Sequence, residues 1–303
     1  QQSSFQSAQL PDGRFVVVPR QPGNEGLDSL GPLSVWKPTT GEMIVLDDCT
    51  VETRLVFEDL PVLCDDGDPF FGYSVAVSQD GQELVTESYA PEGGAVELKF
   101  WDTGTLNATR TVTSAIPAVG VPGLDGVMTS DFLLYRGMVL DPDTGELITT
   151  LVDGNALRGK ALSDDGSVLF LATWDGIARR VVTETWTSED WPANDGGNRG
   201  LALSPDGNRL AAAGSDAFVR IWSTVDLKLL DVIPAPMASD VMWIDTATIA
   251  IAITDGARWM VESLDIEEIR REAGERLTRS FTDVECDTYR VDPCPDLETI
   301  RNW

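Results

Sequence analysis

LALSPDGNRLAAAGSDAFVRIW, at residues 201–222, reads as three short apolar strands separated by two tight turns. The first turn contains Pro205-Asp206-Gly207, in which glycine supplies the positive φ that such a turn requires. The third strand ends near an aromatic residue, Trp222. A unit built only from short strands and turns cannot bury its apolar faces alone, so it must stack on similar units.

The same pattern recurs along the chain, and after a first interval of 68 residues its turns follow at intervals of 45, 40 and 41 residues. The turns of its other copies are predicted at Pro11-Asp12-Gly13, Gln79-Asp80-Gly81, Leu124-Asp125-Gly126 and Asp164-Asp165-Gly166. Repeats of this length that contain only strands predict a β-propeller. Six blades are recognisable, and in the sixth the first turn is replaced by Asp245-Thr246-Ala247. Whether there is a seventh blade stays open, since the stretch of alternating polar and apolar residues at Val51–Glu58 is too short to form one.

Three tryptophans stand where a third strand ends, namely Trp36, Trp101 and Trp222, and Trp101 is followed by Asp102. In these residues the chain resembles the WD40 family over most of residues 1–262. The resemblance implies an all-β, WD40-like β-propeller, a fold that serves mostly as a platform for loops. The Gly-His dipeptide of the family is absent because the chain has no histidine. The family's Asp-His-Ser/Thr-Trp network therefore cannot form, and packing is expected to hold each blade.

A helical tail is predicted to follow the propeller, at residues 263–303. Residues 265–277 place apolar side chains on one helical face, and Asp265 is a suitable N-cap. Thr282 and Glu285 match a capping box that opens a second short helix through Tyr289. The tail is interpreted as a cap on the propeller or as a docking helix for a partner.

The segment RLTRSFTDVECDTYRVDPCP, at residues 276–295, resembles the closing segment that follows WD40 propellers in bacterial multidomain regulators. Those proteins carry a signalling NTPase, a cyclase-like or a DNA-binding domain ahead of the propeller. The resemblance implies that this chain is the sensor or docking end of a longer signalling polypeptide. It also favours a cytoplasmic location and makes domains of the same polypeptide candidate partners.

Composition excludes several functions. Fifty acidic and 22 basic residues give a formal charge of −28, which argues against nucleic acid and anionic membranes as partners. The absence of histidine removes Ser-His-Asp triads and histidine metal sites. No cofactor and no metal ion is expected. No apolar run is long enough to span a membrane, and the first residues lack the pattern of a signal peptide.

The four cysteines, Cys49, Cys64, Cys286 and Cys294, allow three disulfide connectivities. Proximity in sequence favours the pairs 49–64 and 286–294, which would suit an extracellular or otherwise oxidising compartment. Free buried cysteines are an equally open alternative. Neither spacing resembles a zinc motif.

Three loop expansions are expected to cluster on one face of the propeller, at Arg20–Pro32, Asp47–Phe71 and Ala90–Gly94. Long loops in a compact domain are usually functional or disordered. We expect their carboxylates to bind a basic protein or peptide, while solvated loops without a role remain the alternative. Calcium binding at the Asp65–Asp68 cluster is disfavoured because the EF-hand spacing is absent. The candidate partner-binding residues are Glu25, Asp28, Asp47, Asp48, Asp65, Asp66, Asp68 and Glu92.

The leading hypothesis is a non-enzymatic interaction or sensor module, with an architectural subunit of a larger assembly as the alternative. A carboxylate-based hydrolase is disfavoured, because the predicted inner strands SAQL, SVAVS, KALS and LALS contain almost no acids. Trp186 and Trp191 flank an acidic pair. They are candidates to line a peptide groove, although packing in the core or at an edge is the preferred interpretation.

Overall fold

A computed structural model describes residues 7–10, 12–17, 34–45, 75–89, 95–117, 124–153, 156–254, 258–265, 271, 279–280, 282–289, 294 and 296. In this part of the chain the strands form six antiparallel sheets, five with four strands and one with three, each in chain order. We call the sheets blades 1 to 6. The prediction of repeated blades built from short strands and turns is confirmed in this part of the chain.

The strands of blades 1 to 3 follow the order of the chain. Blade 1 contains β1 (Ser7–Gln9), β2 (Phe15–Val17), β3 (Ser34–Lys37) and β4 (Glu42–Val45). Blade 2 contains β5 (Val75–Val77), β6 (Glu83–Tyr89), β7 (Ala95–Asp102) and β8 (Ala108–Pro117). Blade 3 contains β9 (Leu124–Met128), β10 (Leu133–Tyr135), β11 (Met138–Leu140) and β12 (Leu147–Thr150).

Blades 4 to 6 continue in the same way, and a short helix follows them in the described part of the tail. Blade 4 contains β13 (Leu157–Leu162), β14 (Val168–Thr173), β15 (Ile177–Val182) and β16 (Thr187–Pro192). Blade 5 contains β17 (Asn198–Leu203), β18 (Arg209–Gly214), β19 (Phe218–Ser223) and β20 (Leu229–Pro234). Blade 6 contains β21 (Ala238–Trp243), β22 (Thr248–Ile253) and β23 (Arg258–Ser263), and the helix is α1 (Asp283–Tyr289). Among the described residues, none belongs to a helix long and apolar enough to cross a membrane.

The chain divides into two compact units, residues 1–170 with 180–189 and residues 171–179 with 190–303. In the first unit β5 and β9 are neighbours, since the N–H of Gln79 donates to the carbonyl of Met128 at 2.9 Å. The side chains of Leu98, Phe100 and Tyr135 are fully buried in its core. Burial of such side chains is the main stabilising contribution to a sheet protein of this kind.

The second unit contains blades 5 and 6, whose first strands β17 and β21 are neighbours. Its core contains small residues on β18, such as Ala211 and Ala213, against larger ones on blade 6, such as Val241, Ile249 and Ile251. The alanines have no exposed surface, which indicates that the neighbouring sheet approaches closely. Alternation of small and large residues therefore sets how these blades pack.

Four of the five predicted Asp-Gly turns connect the first and second strands of a blade, but the turn predicted at residues 124–126 is wrong. Leu124, Asp125 and Gly126 lie in β9, and the chain reverses at Thr129–Phe132 instead. Gly126 keeps a φ of +72°. The dipeptide therefore produces an irregularity within the strand, which sequence alone does not distinguish from a reversal.

The expectation that packing alone holds each blade is also wrong for blade 2. The indole N–H of Trp101 donates to Oγ1 of Thr86 at 3.0 Å, and both side chains are buried. The Thr–Trp part of the family's network is therefore present without histidine. Trp36, Trp101 and Trp222 lie in the third strands of their blades, as predicted.

Candidate functional site

The eight acidic residues predicted to bind a partner lie outside the described residues, and so do Cys49 and Cys64. They stay predictions. The carboxylates are Glu25, Asp28, Asp47, Asp48, Asp65, Asp66, Asp68 and Glu92.

The turns between the first and second strands share a set of hydrogen bonds, of which the Asp-Gly sequence pattern indicated only a part. Three of them have the sequence Ser-x-Asp-Gly, starting at Ser78, Ser163 and Ser204. In each, the serine hydroxyl donates to the aspartate at 2.6 Å and accepts the N–H of the residue five positions later at 2.9 Å. The turn and its carboxylate are thus fixed together.

A threonine after the third strand ties a second turn to the first within three of the blades. Its hydroxyl donates to the carbonyl of the turn glycine at 2.6 to 2.7 Å. The two turns at one end of each such blade therefore form one hydrogen-bonded structure. The pairs are Thr103 with Gly81, Thr183 with Gly166, and Thr224 with Gly207.

A cavity of about 480 Å³ opens beside such turns in the first unit. Its lining comes from the first turns of blades 2, 3 and 4, from β12 and from the turn after β15, and it contains no lysine or arginine. We call it the acidic cavity. The residues that define it are Gln79, Asp131, Phe132, Ile148, Asp165, Glu184 and Trp186.

An aromatic pair forms one wall of the acidic cavity. The rings of Phe132 and Trp186 meet edge to face, with centroids 5.2 Å apart and planes at 89°. Trp186 has a φ of +55° in its turn, where its N–H donates to the carbonyl of Val182 at 2.8 Å. Trp191, the other tryptophan considered as a groove residue, is instead buried and packs edge to face on Trp222 at 6.4 Å.

Three carboxylates lie on the polar side of the cavity, those of Asp131, Asp165 and Glu184. Hydrogen bonds from the hydroxyl of Ser163 and from the N–H and hydroxyl of Ser167 lower the pKa of Asp165 to about 2. Asp165 is therefore ionised throughout the physiological pH range. Because no cation lines the cavity, its polar side presents negative charge.

Gln79, in the first turn of blade 2, links that turn to the first turn of blade 4. Its side-chain amide donates to the carbonyls of Ser163 and Asp164 at 2.8 and 2.7 Å. Its carbonyl oxygen lies so near Gly166 that a Cβ there would come within 3.1 Å of it. Gly166 also has a φ of +72°, so a side chain at this position would be strained. The cavity is thus assembled before any ligand binds.

A cavity lined by an aromatic pair and by carboxylates is suited to a cationic side chain, which an aromatic ring and carboxylates both attract. The volume lies in the range of small ligand pockets. Among the described residues, no group of three His, Cys, Asp or Glu side chains is arranged to hold a metal ion. Apart from Trp186, no residue of the cavity was predicted to belong to a binding site, because the lining comes from separate stretches of sequence.

The four first strands quoted from the sequence contain no acid, but β9 contains Asp125 and β21 contains Asp240. Oδ2 of Asp125 accepts the N–H of Gly137 at 2.9 Å. Burial raises the pKa of Asp125 to about 6, against the opposing effects of this hydrogen bond and of Lys160. Oδ2 thus holds the turn between β10 and β11, which is a structural role.

A second buried acid, Glu87, links two blades of the first unit. It lies on β6, and its carboxylate accepts the hydroxyl of Tyr135 at 2.9 Å and the N–H of Leu124 at 3.2 Å. Both partners belong to blade 3. Polar groups of this kind stabilise a core only when they are hydrogen-bonded, as these are.

The predicted capping box of the tail is confirmed. Oγ1 of Thr282 accepts the N–H of Glu285 at 3.2 Å, and the Glu285 carboxylate accepts the N–H of Thr282 at 2.8 Å. Hydrogen bonds from Arg279 and Thr282 lower the pKa of Glu285 to about 2. Cys286, on the same helix, forms a disulfide with Cys294, a pair that sequence proximity favoured.

The structure is similar to that of a chain in the crystal structure of the mitotic checkpoint complex. The likeness has a TM-score of 0.60 at 15% sequence identity and covers 86% of this chain and 76% of that chain. With the six blades, it shows that the fold is an all-β, WD40-like β-propeller. No protein-family model matches the sequence, and no curated protein matches it.

Proposed function

We propose that this chain is a non-catalytic protein-interaction module that binds a basic segment of a partner protein in the acidic cavity. The observation that carries the proposal is the composition of the cavity. Three carboxylates, an aromatic pair and no cation line a volume that suits one or two side chains. An arginine or lysine side chain of the partner lies against Trp186 and donates to Asp131 and Glu184.

The charge of the chain supports the same class of partner. With 28 more acidic than basic residues, the protein attracts basic segments at long range and repels phosphates. The long acidic loops around Asp65, Asp66 and Asp68 contribute a second, peripheral part of the recognition surface. Replacing these three residues with Asn slows association and reduces its salt dependence under this proposal.

The proposal extends to the setting of the module. The similar solved chain belongs to the mitotic checkpoint complex, and propellers present binding loops on a rigid scaffold. The tail sequence at residues 276–295 resembles that of bacterial regulators, so the module regulates effector domains of one longer signalling polypeptide. A cytoplasmic location follows from that resemblance.

Calorimetric titration with defined peptides tests the binding site. We expect an arginine-rich peptide to bind the wild-type chain and its glutamate counterpart not to bind. The double variant Asp131→Asn, Glu184→Gln should weaken binding about tenfold and reduce its salt dependence, because it removes two of the three charges. Asp165 is left intact because it holds its turn together.

A matched control is the double variant Asp143→Asn, Glu146→Gln, which also removes two exposed carboxylates, here from a turn of blade 3 that does not line the cavity. It should leave the affinity nearly unchanged. Equal losses in the control and in the cavity variant would mean that only net charge matters. Unchanged binding in the cavity variant would contradict the proposed site.

A further inference from the structure

The three carboxylates of the acidic cavity have acceptor oxygens left for a ligand. The described residues donate to Asp165 only at Oδ1, from the hydroxyl of Ser163 at 2.6 Å and from the N–H and hydroxyl of Ser167 at 3.0 and 2.7 Å. The carboxylate of Asp131 likewise accepts a hydroxyl at Oδ1. Within the described part of the chain no hydrogen bond reaches the other oxygens, which we call the open oxygens. They are Oδ2 of Asp131, Oδ2 of Asp165 and both carboxylate oxygens of Glu184.

The corresponding turn of blade 5 shows how the second oxygen of such an aspartate can be occupied. There the side-chain amide of Asn208 donates to Oδ2 of Asp206 at 3.1 Å, while Oδ1 accepts the hydroxyl of Ser204. In blade 4 the residue after the turn glycine is Ser167, and its hydroxyl donates to Oδ1 of Asp165. The serine thus leaves Oδ2 of Asp165 to the cavity.

The open oxygens lie beside the aromatic pair. Asp131 directly precedes Phe132, in a turn where the hydroxyl of Thr129 accepts the N–H groups of both residues at 3.1 Å. Glu184 lies two residues before Trp186, which keeps part of its surface exposed. Because the two rings meet edge to face, both carboxylates enter the cavity beside the same pair. A flat cation stacked on Trp186 therefore has acceptors around its edge.

We propose that the acidic cavity selects arginine over lysine in the partner segment, an inference that rests on the proposed function. A guanidinium is planar and has five N–H donors, so its face stacks on Trp186 while its edge donates to several open oxygens. The ammonium of lysine has three donors at one point and is more strongly hydrated. It therefore makes fewer hydrogen bonds in the cavity and gives up more hydration. The feature recognised in the partner is the guanidinium group rather than positive charge alone.

Calorimetric titration with three peptides that differ only at one central position tests the selection. The wild-type chain should bind the arginine peptide at least about fivefold more tightly than the lysine peptide, because more hydrogen bonds form. The citrulline peptide keeps the flat end of the side chain but has no charge. It should bind at least about tenfold more weakly than the arginine peptide.

The ratio of the arginine and lysine affinities in a variant tests the stacking. Trp186→Leu should lower this ratio, because the flat surface under the guanidinium is lost, and a general loss of binding would affect both peptides alike. As a control, Phe218→Leu removes an exposed aromatic ring of blade 5 and should leave the ratio unchanged.

The outcomes separate this inference from the proposed function. Equal affinities of the wild-type chain for the arginine and lysine peptides, or a preference for lysine, overturn the inference and leave a site for basic segments. Equal ratios in the wild-type chain and in Trp186→Leu overturn it as well. If neither the arginine nor the lysine peptide binds the wild-type chain, the proposed function fails too.

Discussion

At the scale of single residues, the hydrogen bond between Thr86 and Trp101 joins the second and third strands of blade 2. Its atoms are 3.0 Å apart, and neither side chain is more than 3% exposed. Thr86→Val keeps the volume but removes this acceptor from a buried N–H group. We expect the free energy of unfolding to fall by about 1–2 kcal/mol, measured by urea denaturation.

The control for this prediction is Thr109→Val on β8. The hydroxyl of Thr109 donates to the carbonyl of Phe100 at 3.2 Å, but the side chain is exposed and water can replace the bond. The control should change stability by less than about 0.5 kcal/mol. Equal effects of the two substitutions would mean that the indole hydrogen bond stabilises nothing.

The titration of Asp125 makes the free energy of unfolding depend on pH between 3.8 and about 6. Burial raises its pKa from 3.8 to about 6, so between these values the folded chain holds a proton that the unfolded chain has released. The free energy of unfolding therefore falls as pH rises through this window. The carboxylates with a lowered pKa, such as Asp165, have the opposite effect, but below this window.

Asp125→Asn should remove the decline, because the amide does not titrate and its oxygen still accepts the N–H of Gly137. At neutral pH we expect the free energy of unfolding of the variant to exceed that of the wild-type chain by up to about 2 kcal/mol. This is somewhat less than the shift of the pKa alone would give, because Asp125 is only half-buried. Urea denaturation across this pH range measures the difference. The same pH dependence of the free energy of unfolding in the wild-type chain and in the variant would contradict the prediction.

At the scale of elements, α1 is stabilised by its capping box and by the disulfide between Cys286 and Cys294. The disulfide closes a loop with a sequence separation of 8 residues. Reduction should lower the stability of the helix by about 2 kcal/mol and leave the blades unchanged. Hydrogen exchange should then speed up at Asp283–Tyr289 but not in blade 5, and faster exchange in both would contradict the prediction.

The sequence predicted the secondary-structure elements better than the contacts between residues far apart in the chain. The pattern of apolar strands and turns predicted the blades and four of the five Asp-Gly turns, because strand pattern and turn chemistry are local. Asp125-Gly126 was misinterpreted because the same dipeptide serves a reversal or an irregular strand. The acidic cavity was not predictable, since Gln79, Asp131 and Glu184 meet only through the stacking of blades.

At the scale of the whole molecule, several of the 22 basic residues are paired with acids of the same chain. Several arginines form ion pairs within their own unit, which leaves the remaining carboxylates to set the charge of the surface. A protein of this composition is suited to a basic partner. The pairs are Arg14–Asp12, Arg110–Glu83, Arg179–Asp190, Arg180–Glu189, Arg220–Asp216 and Arg279–Glu285.

The most direct test of the central claim is hydrogen–deuterium exchange of the wild-type chain with and without a saturating arginine-rich peptide. The account predicts slower exchange in the turns that line the acidic cavity, at residues 129–132, 163–167 and 183–186. At a peptide concentration near the wild-type Kd, it also predicts weaker protection of these turns in the variant that lacks the Asp131 and Glu184 charges. Protection confined to other parts of the chain, or no protection under binding conditions, would contradict the claim.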